Sequence, residues 1–330
     1  MYIPLVTDFF ALIMRFIMTA ITSNFGLAII LFTLLTKILL FPFQLKSKKG
    51  MLDQRRIAPK RAALEKKYKG NPQKLNEEIQ KLYKSEGVSL MGGCLPLLIT
   101  IPILMGLYGV VYRPMTHLMY MDSEQINTVG NEIVSMYKEG TYVNQNNLPE
   151  EFFTTLEKQL SEGGKMVNEL RLAHAMNGNV PALQDTHNKL FNINFNFLGL
   201  DLGSMPSYRP FNTLMILPIL SAFFAYLQGW LAQRTNAKMN DGVTGAEQAA
   251  SMGKGMLYTM PLLSLWIGLS LPAGVTLYWI VNNILSIAQE PLLNSIAEKK
   301  YGGMPVVEEK AKKKAPPAVE STGEEVDPSE

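Results

Sequence analysis

The run Phe25 to Phe43 (FGLAIILFTLLTKILLFPF) is 19 residues of almost unbroken apolar character with one lysine, Lys37, inside it. As a helix it is about 28 Å long at ~1.5 Å per residue, enough to cross the hydrocarbon core of a bilayer. An ammonium at such a position costs several kcal/mol unless water, a partner or the interface receives it, which makes Lys37 a functional candidate. The bland alternative is snorkelling. Lys37 lies six residues from Phe43, about 9 Å, within partial reach of the interface for a long side chain.

Four further apolar stretches, Cys94 to Tyr112, Phe211 to Leu231, Met256 to Leu271 and Ala273 to Gln289, contain no Asp, Glu, Lys or Arg. A single helix from Met256 to Gln289 would be about 51 Å long, well beyond a ~30 Å core. Leu271-Pro272-Ala273-Gly274 supplies a break, because proline lacks the helical donor and glycine tolerates a turn. The last two runs are therefore expected to form a tight hairpin of short spans, tilted little or sitting in a thinned bilayer. The expected fold class is an all-α polytopic membrane protein with a five-span core.

Charge orients it. Gln44 to Leu90 holds 13 Lys and Arg against five Asp and Glu, whereas Met115 to Ser207 holds five against 11. The positive-inside rule puts the first segment in the cytoplasm and the second outside. The expected organisation is an amphipathic interfacial helix over 1–22 and spans over 23–43, 91–113, 211–231, 256–271 and 272–291. Between them lie a basic cytoplasmic helical hairpin (44–90), an external insert (114–210) and a cytoplasmic loop (232–255), with a mostly disordered cytoplasmic tail over 292–330. The amino terminus is then outside and the carboxy terminus in the cytoplasm.

Pro4 to Ile21 is apolar enough to suggest a signal peptide, but it lacks a basic start and Asp8 and Arg15 interrupt it. Phe9, Ile13, Phe16, Ile17, Ala20 and Ile21 recur at helical spacing, which fits a helix lying in the interface. Cys94 is the only cysteine, so no intrachain disulfide forms. Met91-Gly92-Gly93-Cys94 resembles a lipoprotein cleavage site only faintly, and close packing at a helix start accounts for it better.

In the hairpin, Gly70-Asn71-Pro72 separates Lys46 to Lys69 from Pro72 to Glu86, whose Leu75, Ile79, Leu82 and Tyr83 share a face. Its basic residues, Arg55, Arg56, Lys60 and Arg61 among them, either attract anionic lipid or dock a ribosome, a targeting factor or an acidic nascent chain. In the insert, Glu124 to Glu139 and Pro149 to Glu162 read as acidic helices. Phe191 to Phe197 alternates strictly, which suits a strand or an extended stretch pressed on the membrane. His117, His174 and His187 lack metal-ligand spacing and read as ordinary surface histidines.

The chain contains no phosphate-binding loop, no His-Glu-x-x-His and no aspartate within a span. A non-enzymatic function without cofactor or metal is expected. An anion or small-solute transporter using Lys37 is the alternative, although the two halves do not repeat each other. An intramembrane enzyme lacks any acid, base and nucleophile set.

The segments Leu34-Leu35-Thr36-Lys37-Ile38-Leu39-Leu40-Phe41-Pro42, Ile57-Ala58-Pro59-Lys60, Leu82-Tyr83-Lys84 and Gly92-Gly93-Cys94-Leu95-Pro96-Leu97-Leu98 resemble motifs of the YidC/Oxa/Alb membrane protein insertases. So does Leu271 to Asn283 (LPAGVTLYWIVNN), and the ordered motifs cover about Ile21 to Val111 and Phe211 to Leu293. The resemblance implies an insertase and membrane chaperone of the bacterial cytoplasmic membrane. Its groove would open to the cytoplasm and to lipid, with a cation in the first core span attracting the translocated tail of a nascent membrane protein. It implies work alone or beside the Sec translocon, with the ribosome and the signal recognition particle receptor as further partners. Lys37 stands where the family usually has arginine, so it keeps the charge and loses the five-donor fork. Thr33, one turn earlier, would add polar lining. Met105, Met215, Met260, Tyr278 and Trp279 are the candidates for an apolar slide that receives the client helix, although such residues in spans usually only pack.

Overall fold

The computed structural model describes residues 4–88, 95–146, 148–163, 167–184, 188–239 and 246–301. Gly92-Gly93-Cys94, His187 and the tail beyond Tyr301 lie outside the described residues.

Helix α1 (Pro4–Ala20) leads to Asn24, whose side chain accepts from the Leu27 amide and starts α2 (Phe25–Lys67). α2 has 43 residues, about 65 Å, so the apolar run and the first hairpin arm are one helix with no break at residue 43. Pro42 and Pro59 lie inside it, each removing one backbone donor without ending the helix. Asn71 caps α3 (Pro72–Ser85), which packs on α2. Ile57, Tyr83 and Val88 are buried together with Ile79 packed on them, so the hairpin has a small core of its own.

α4 (Leu95–Tyr112) carries no formal charge. The insert follows as α5 (Pro114–Leu118), α6 (Ser123–Lys138), α7 (Glu150–Ser161), α8 (Glu169–Ala175), α9 (Val180–Gln184) and the antiparallel strands β1 (Asn196–Phe197) and β2 (Leu200–Asp201). α10 (Ile216–Met239), α11 (Ala246–Ser270) and α12 (Ala273–Tyr301) complete the chain. Among the described residues, Phe25–Lys67 and Thr213–Thr235 are long and apolar enough to cross a membrane, and Leu257–Ser270 is a shorter apolar helix. Their outward faces are greasy: Leu34 and Ile38 on α2, Ile219 and Phe223 on α10, and Leu262 and Trp266 on α11 are all exposed.

α1 packs against both α2 and α4. Phe10 meets Phe32 edge-on with ring centroids 5.4 Å apart. A Cβ on Gly106 would lie 2.6 Å from the Phe10 ring, so only glycine admits this approach. The buried face of α1 is Phe10, Met14, Ile17 and Met18, whereas Phe9, Phe16 and Ile21 are exposed. The helix is thus apolar on two sides, and the face that packs on protein differs from the single stripe read in the sequence.

α11 packs along α10, and α12 packs along both α2 and α10. The tight pairing expected of the last two spans gives way to a more open arrangement: α11 lies chiefly against α10, α12 lies about equally against α2 and α10, and the two touch each other little. Ser221 of α10 and Ser264 of α11 share a buried hydrogen bond of 2.6 Å, and Leu257 closes on Gly229. Small and hydroxylated residues hold helices together where lipid offers no hydrophobic drive.

The alternation at residues 191–197 translates directly into burial: Ile193 and Phe195 are inside, and Asn192, Asn194 and Asn196 are outside. This segment and the residues after it join two helix starts. The Asn194 amide donates to Ser23 O and the Phe25 amide donates to Asn194 O, both at 2.9 Å. At α12, the Ala273 and Gly274 amides donate to Ser204 O (2.9 Å) and Leu202 O (3.0 Å). Four backbone hydrogen bonds therefore fasten Ser23–Phe25 and the first turn of α12 to one stretch of the insert, and three of them satisfy amide donors that helix starts leave free.

Candidate functional site

Lys37 projects from α2 toward α12, where its Nζ donates to Ser286 Oγ at 2.6 Å. Ser286 donates its own proton to Asn282 O at 2.7 Å, which leaves its lone pairs turned to the ammonium. The five apolar runs hold no carboxylate, so the positive charge of Lys37 has a hydroxyl partner and no counter-ion within them.

Burial changes character at this level. Toward its start α2 buries Phe25, Gly26, Ala28, Ile29, Phe32, Thr33 and Thr36, and the next buried residue is Ser47. α12 buries Ala273 to Tyr278, Ile280 and Asn283, and the next is Leu293. The two helices are close-packed at the insert end and loosely packed from Lys37 toward the hairpin. Asn283 Nδ2 at the boundary, and Ser47 Oγ and Gln289 Oε1 beyond it, are buried with no hydrogen-bond partner among the described residues. Farther along, Lys48 of α2 pairs with Glu290 of α12, which also accepts from Asn294 Nδ2. The α12 residues are the part that sequence reasoning missed. The signal was present as polar residues at Asn282, Ser286, Gln289 and Glu290, spaced to recur on one side of an otherwise apolar helix.

The other predicted site residues are distributed unevenly. Thr33 is 1% exposed, and its hydroxyl donates to Ile29 O at 2.6 Å within its own helix. Tyr278 is 2% exposed and belongs to the main core, while Trp279 beside it is half-buried. Met105 on α4, Met215 just before α10 and Met260 on α11 are each half-buried, on separate elements. In the hairpin, Lys60 pairs with Glu86, Arg61 with Glu65, and Arg56 donates to Glu86 O (3.3 Å). Arg55 is half-buried. Lys60 and Arg56 therefore tie the two arms together through Glu86, whereas Arg61 pairs within α2.

The described histidines are not ordinary surface residues. His117 is 6% exposed with Asp8 Oδ1 4.0 Å away, and His174 lies 3.7 Å from Asp201 under the Phe195 ring. Burial lowers the pKa of each below 6.5, against the opposing pull of the neighbouring aspartate. The apolar core of the insert closes over positions that a polar local sequence marked as exposed. Burial raises the pKa of Glu169, which accepts from both the amide and the hydroxyl of Thr116 at 2.8 Å.

A family model described as the 60Kd inner membrane protein matches residues 16–300. The chain is 28% identical over 274 residues to a protein named membrane protein insertase YidC from Granulibacter bethesdensis, covering 83% of this chain and 35% of that one. A Helicobacter pylori protein of the same name is 27% identical, covering 84% of this chain and 34% of that one. An Arabidopsis thaliana protein named ALBINO3-like protein 1, chloroplastic, is 28% identical, covering 85% and 44% respectively. The chain thus spans about a third to under a half of the length of these relatives. The match to the family model runs through the α2 helix that carries Lys37 and the α12 helix that carries Ser286, and the chain belongs to the 60Kd inner membrane protein family, the YidC/Oxa/Alb group of membrane protein insertases.

Proposed function

We propose that the chain is a membrane protein insertase and chaperone. It acts through a hydrated groove between α2 and α12 that opens toward the hairpin and is closed at the insert end. The observation that carries this reading is the loss of close packing beyond Thr36 and Asn283, with Lys37 at the boundary and unpartnered polar atoms beyond it. Polar groups buried in lipid without partners cost several kcal/mol each, so such a stretch is stable when water reaches it.

Lys37 attracts the acidic or polar tail of a nascent membrane protein, and the wet half-crossing shortens the distance that tail travels through hydrocarbon. The apolar segment of the client leaves sideways into lipid along the third and fifth spans, α10 and α12, past Met215 and Trp279, with Met260 of α11 as a further candidate. Partition of that segment supplies the driving force. The basic hairpin faces the cytoplasm, where anionic lipid, the ribosome, the signal recognition particle receptor or the Sec translocon meets it. The insert faces outward, and the membrane is the bacterial inner membrane, crossed five times.

Proteoliposomes containing wild type, Lys37→Arg or Lys37→Ala, offered a small client with an acidic amino-terminal tail, test the mechanism. Insertion by wild type and Lys37→Arg, with failure by a normally folded Lys37→Ala, is the expected result. Equal insertion by all three removes Lys37 from the mechanism, and insertion by none favours an anion transporter.

A further inference from the structure

Two exposed apolar tips belong to the segment that joins the starts of α2 and α12 and to the residues just after it. The first is the β1–β2 turn. Strands paired as Phe197 with Leu200 leave Leu198 and Gly199 as a two-residue loop, with φ of +53° and +79°. A loop with both residues in the left-handed region favours Asn-Gly, because a side chain such as leucine is strained there. Leu198 nevertheless occupies it and is 86% exposed. Neither folding nor water solubility favours this choice.

The second tip is the turn Tyr208-Arg209-Pro210-Phe211, closed by a bridge between Tyr208 and Phe211. Tyr208 is 72% and Phe211 74% exposed, with Met205 exposed nearby. The loop is internally tied: Asn212 accepts from the Ser207 amide and donates to Met205 O, and Ser207 Oγ accepts from the Arg209 amide. Its apolar side chains are thus held outward by a backbone that satisfies several of its own polar groups, which lowers the cost of seating it at the boundary between headgroups and acyl chains.

Both tips continue lipid-facing surfaces. Phe197 packs on Gly26 in the first turn of α2, one residue before the exposed Leu27. Phe211 leads within five residues to the exposed Ile216 and then Ile219 of α10. The tips therefore lie beside the insert-end starts of two exposed apolar surfaces, on α2 and α10. Arg209 is exposed beside the Tyr208 ring, 5.9 Å from its centroid, the pairing of cation and aromatic suited to a phosphate headgroup above an apolar layer.

We propose that the tips at Leu198 and at Tyr208–Phe211 are seated in the leaflet at the insert end, with Arg209 on anionic lipid phosphate. The insert is thereby a bilayer-anchored part of the protein. The inference rests on the membrane-spanning reading and is independent of whether the groove inserts clients.

The test places a bimane label at Leu198→Cys, at Phe211→Cys or, as a control, at the exposed Glu162→Cys, each in a Cys94→Ser background. The protein is reconstituted in vesicles of phosphatidylethanolamine and phosphatidylglycerol. Lipid carrying a spin label high in the acyl chain should quench the first two labels strongly and the control little, and aqueous iodide should do the reverse. Replacing phosphatidylglycerol with phosphatidylcholine should reduce lipid quenching at Phe211→Cys, and Arg209→Ala should abolish that dependence. Iodide quenching at both tips overturns the proposal, because the tips are then in water. Quenching by neither agent also overturns it, because protein then covers them. Leu198→Asn, a better residue for the turn, should lower lipid partition of the tip without lowering thermal stability in detergent. A marked loss of stability would assign Leu198 to packing.

Discussion

The hydrogen bond between Lys37 and Ser286 measures how wet the α2–α12 interface is. At 2.6 Å it has the length of a strong charge-assisted bond, and in general such bonds contribute about 1.5–3 kcal/mol. Two limits bracket the effect of breaking it. In a dry interior, stranding a buried charge by removing its partner costs about 3–5 kcal/mol. Where water can replace the hydroxyl, the coupling should approach the ~0.6 kcal/mol average of hydrogen bonds between membrane helices. Lys37 keeps part of its surface exposed, and the packing on its hairpin side is open, so the hydrated groove predicts the low limit. A double-mutant cycle of Ser286→Ala, Lys37→Met and the pair, read by reversible unfolding in bicelles, should give a coupling below about 1.5 kcal/mol. Ser286→Ala alone should cost a similar amount. A coupling of about 3 kcal/mol or more would show a dry site and refute the hydrated groove, since a client tail could not then exchange freely with Ser286.

Three other outcomes follow from the structure. Below about pH 6.5 the unfolded chain binds more protons at His117 and His174 than the folded one does, because burial depresses both native pKa values. The stability they contribute is full above that pH and is lost as pH falls, so the melting temperature of the insert should drop between about pH 7 and 5, and His174→Asn should flatten the slope. Truncating the hairpin core with Ile57→Ala should cost about 2–4 kcal/mol locally, seen as faster hydrogen exchange in α3 with the spans unchanged, and equal protection would reject the separate core. Cysteine labelling should find Gly70 on the cytoplasmic side and Gly163 outside, and the reverse result would invert the topology.

Local signals carried much of the fold. The segments Glu124 to Glu139 and Pro149 to Glu162 each became a helix with ends within two residues of those read, because capping residues and helical periodicity are local. The Pro272 break also separates two helices as read. Lys37 stood out because a charge in an apolar run violates a local rule. Its partner did not, since Ser286 is 249 residues away and an isolated serine in a span has many uses. The continuity of α2 through Phe43 was hidden by the change from apolar to basic composition, which alters what surrounds a helix without ending it. The burial of His117 and His174 depends on contacts with α1 and with the strands, and nothing in their neighbouring residues encodes it.

The backbone bonds that join Asn194, Leu202 and Ser204 to the starts of α2 and α12 make those two helices a pair of tongs riveted at one end. Lys37 lies 12 residues and Lys48 lies 23 residues from the rivet at Phe25, about 18 and 35 Å along the helix. A rotation of about 10° would part the jaws by roughly 3 Å at Lys37 and roughly 6 Å at Lys48, by the same helix rise. The ion pair between Lys48 and Glu290 would break outright while Lys37 moved by about one water diameter from Ser286. A small swing thus admits bulk at the tips and keeps the cation close to its resting place, and the rivet holds the far side shut throughout.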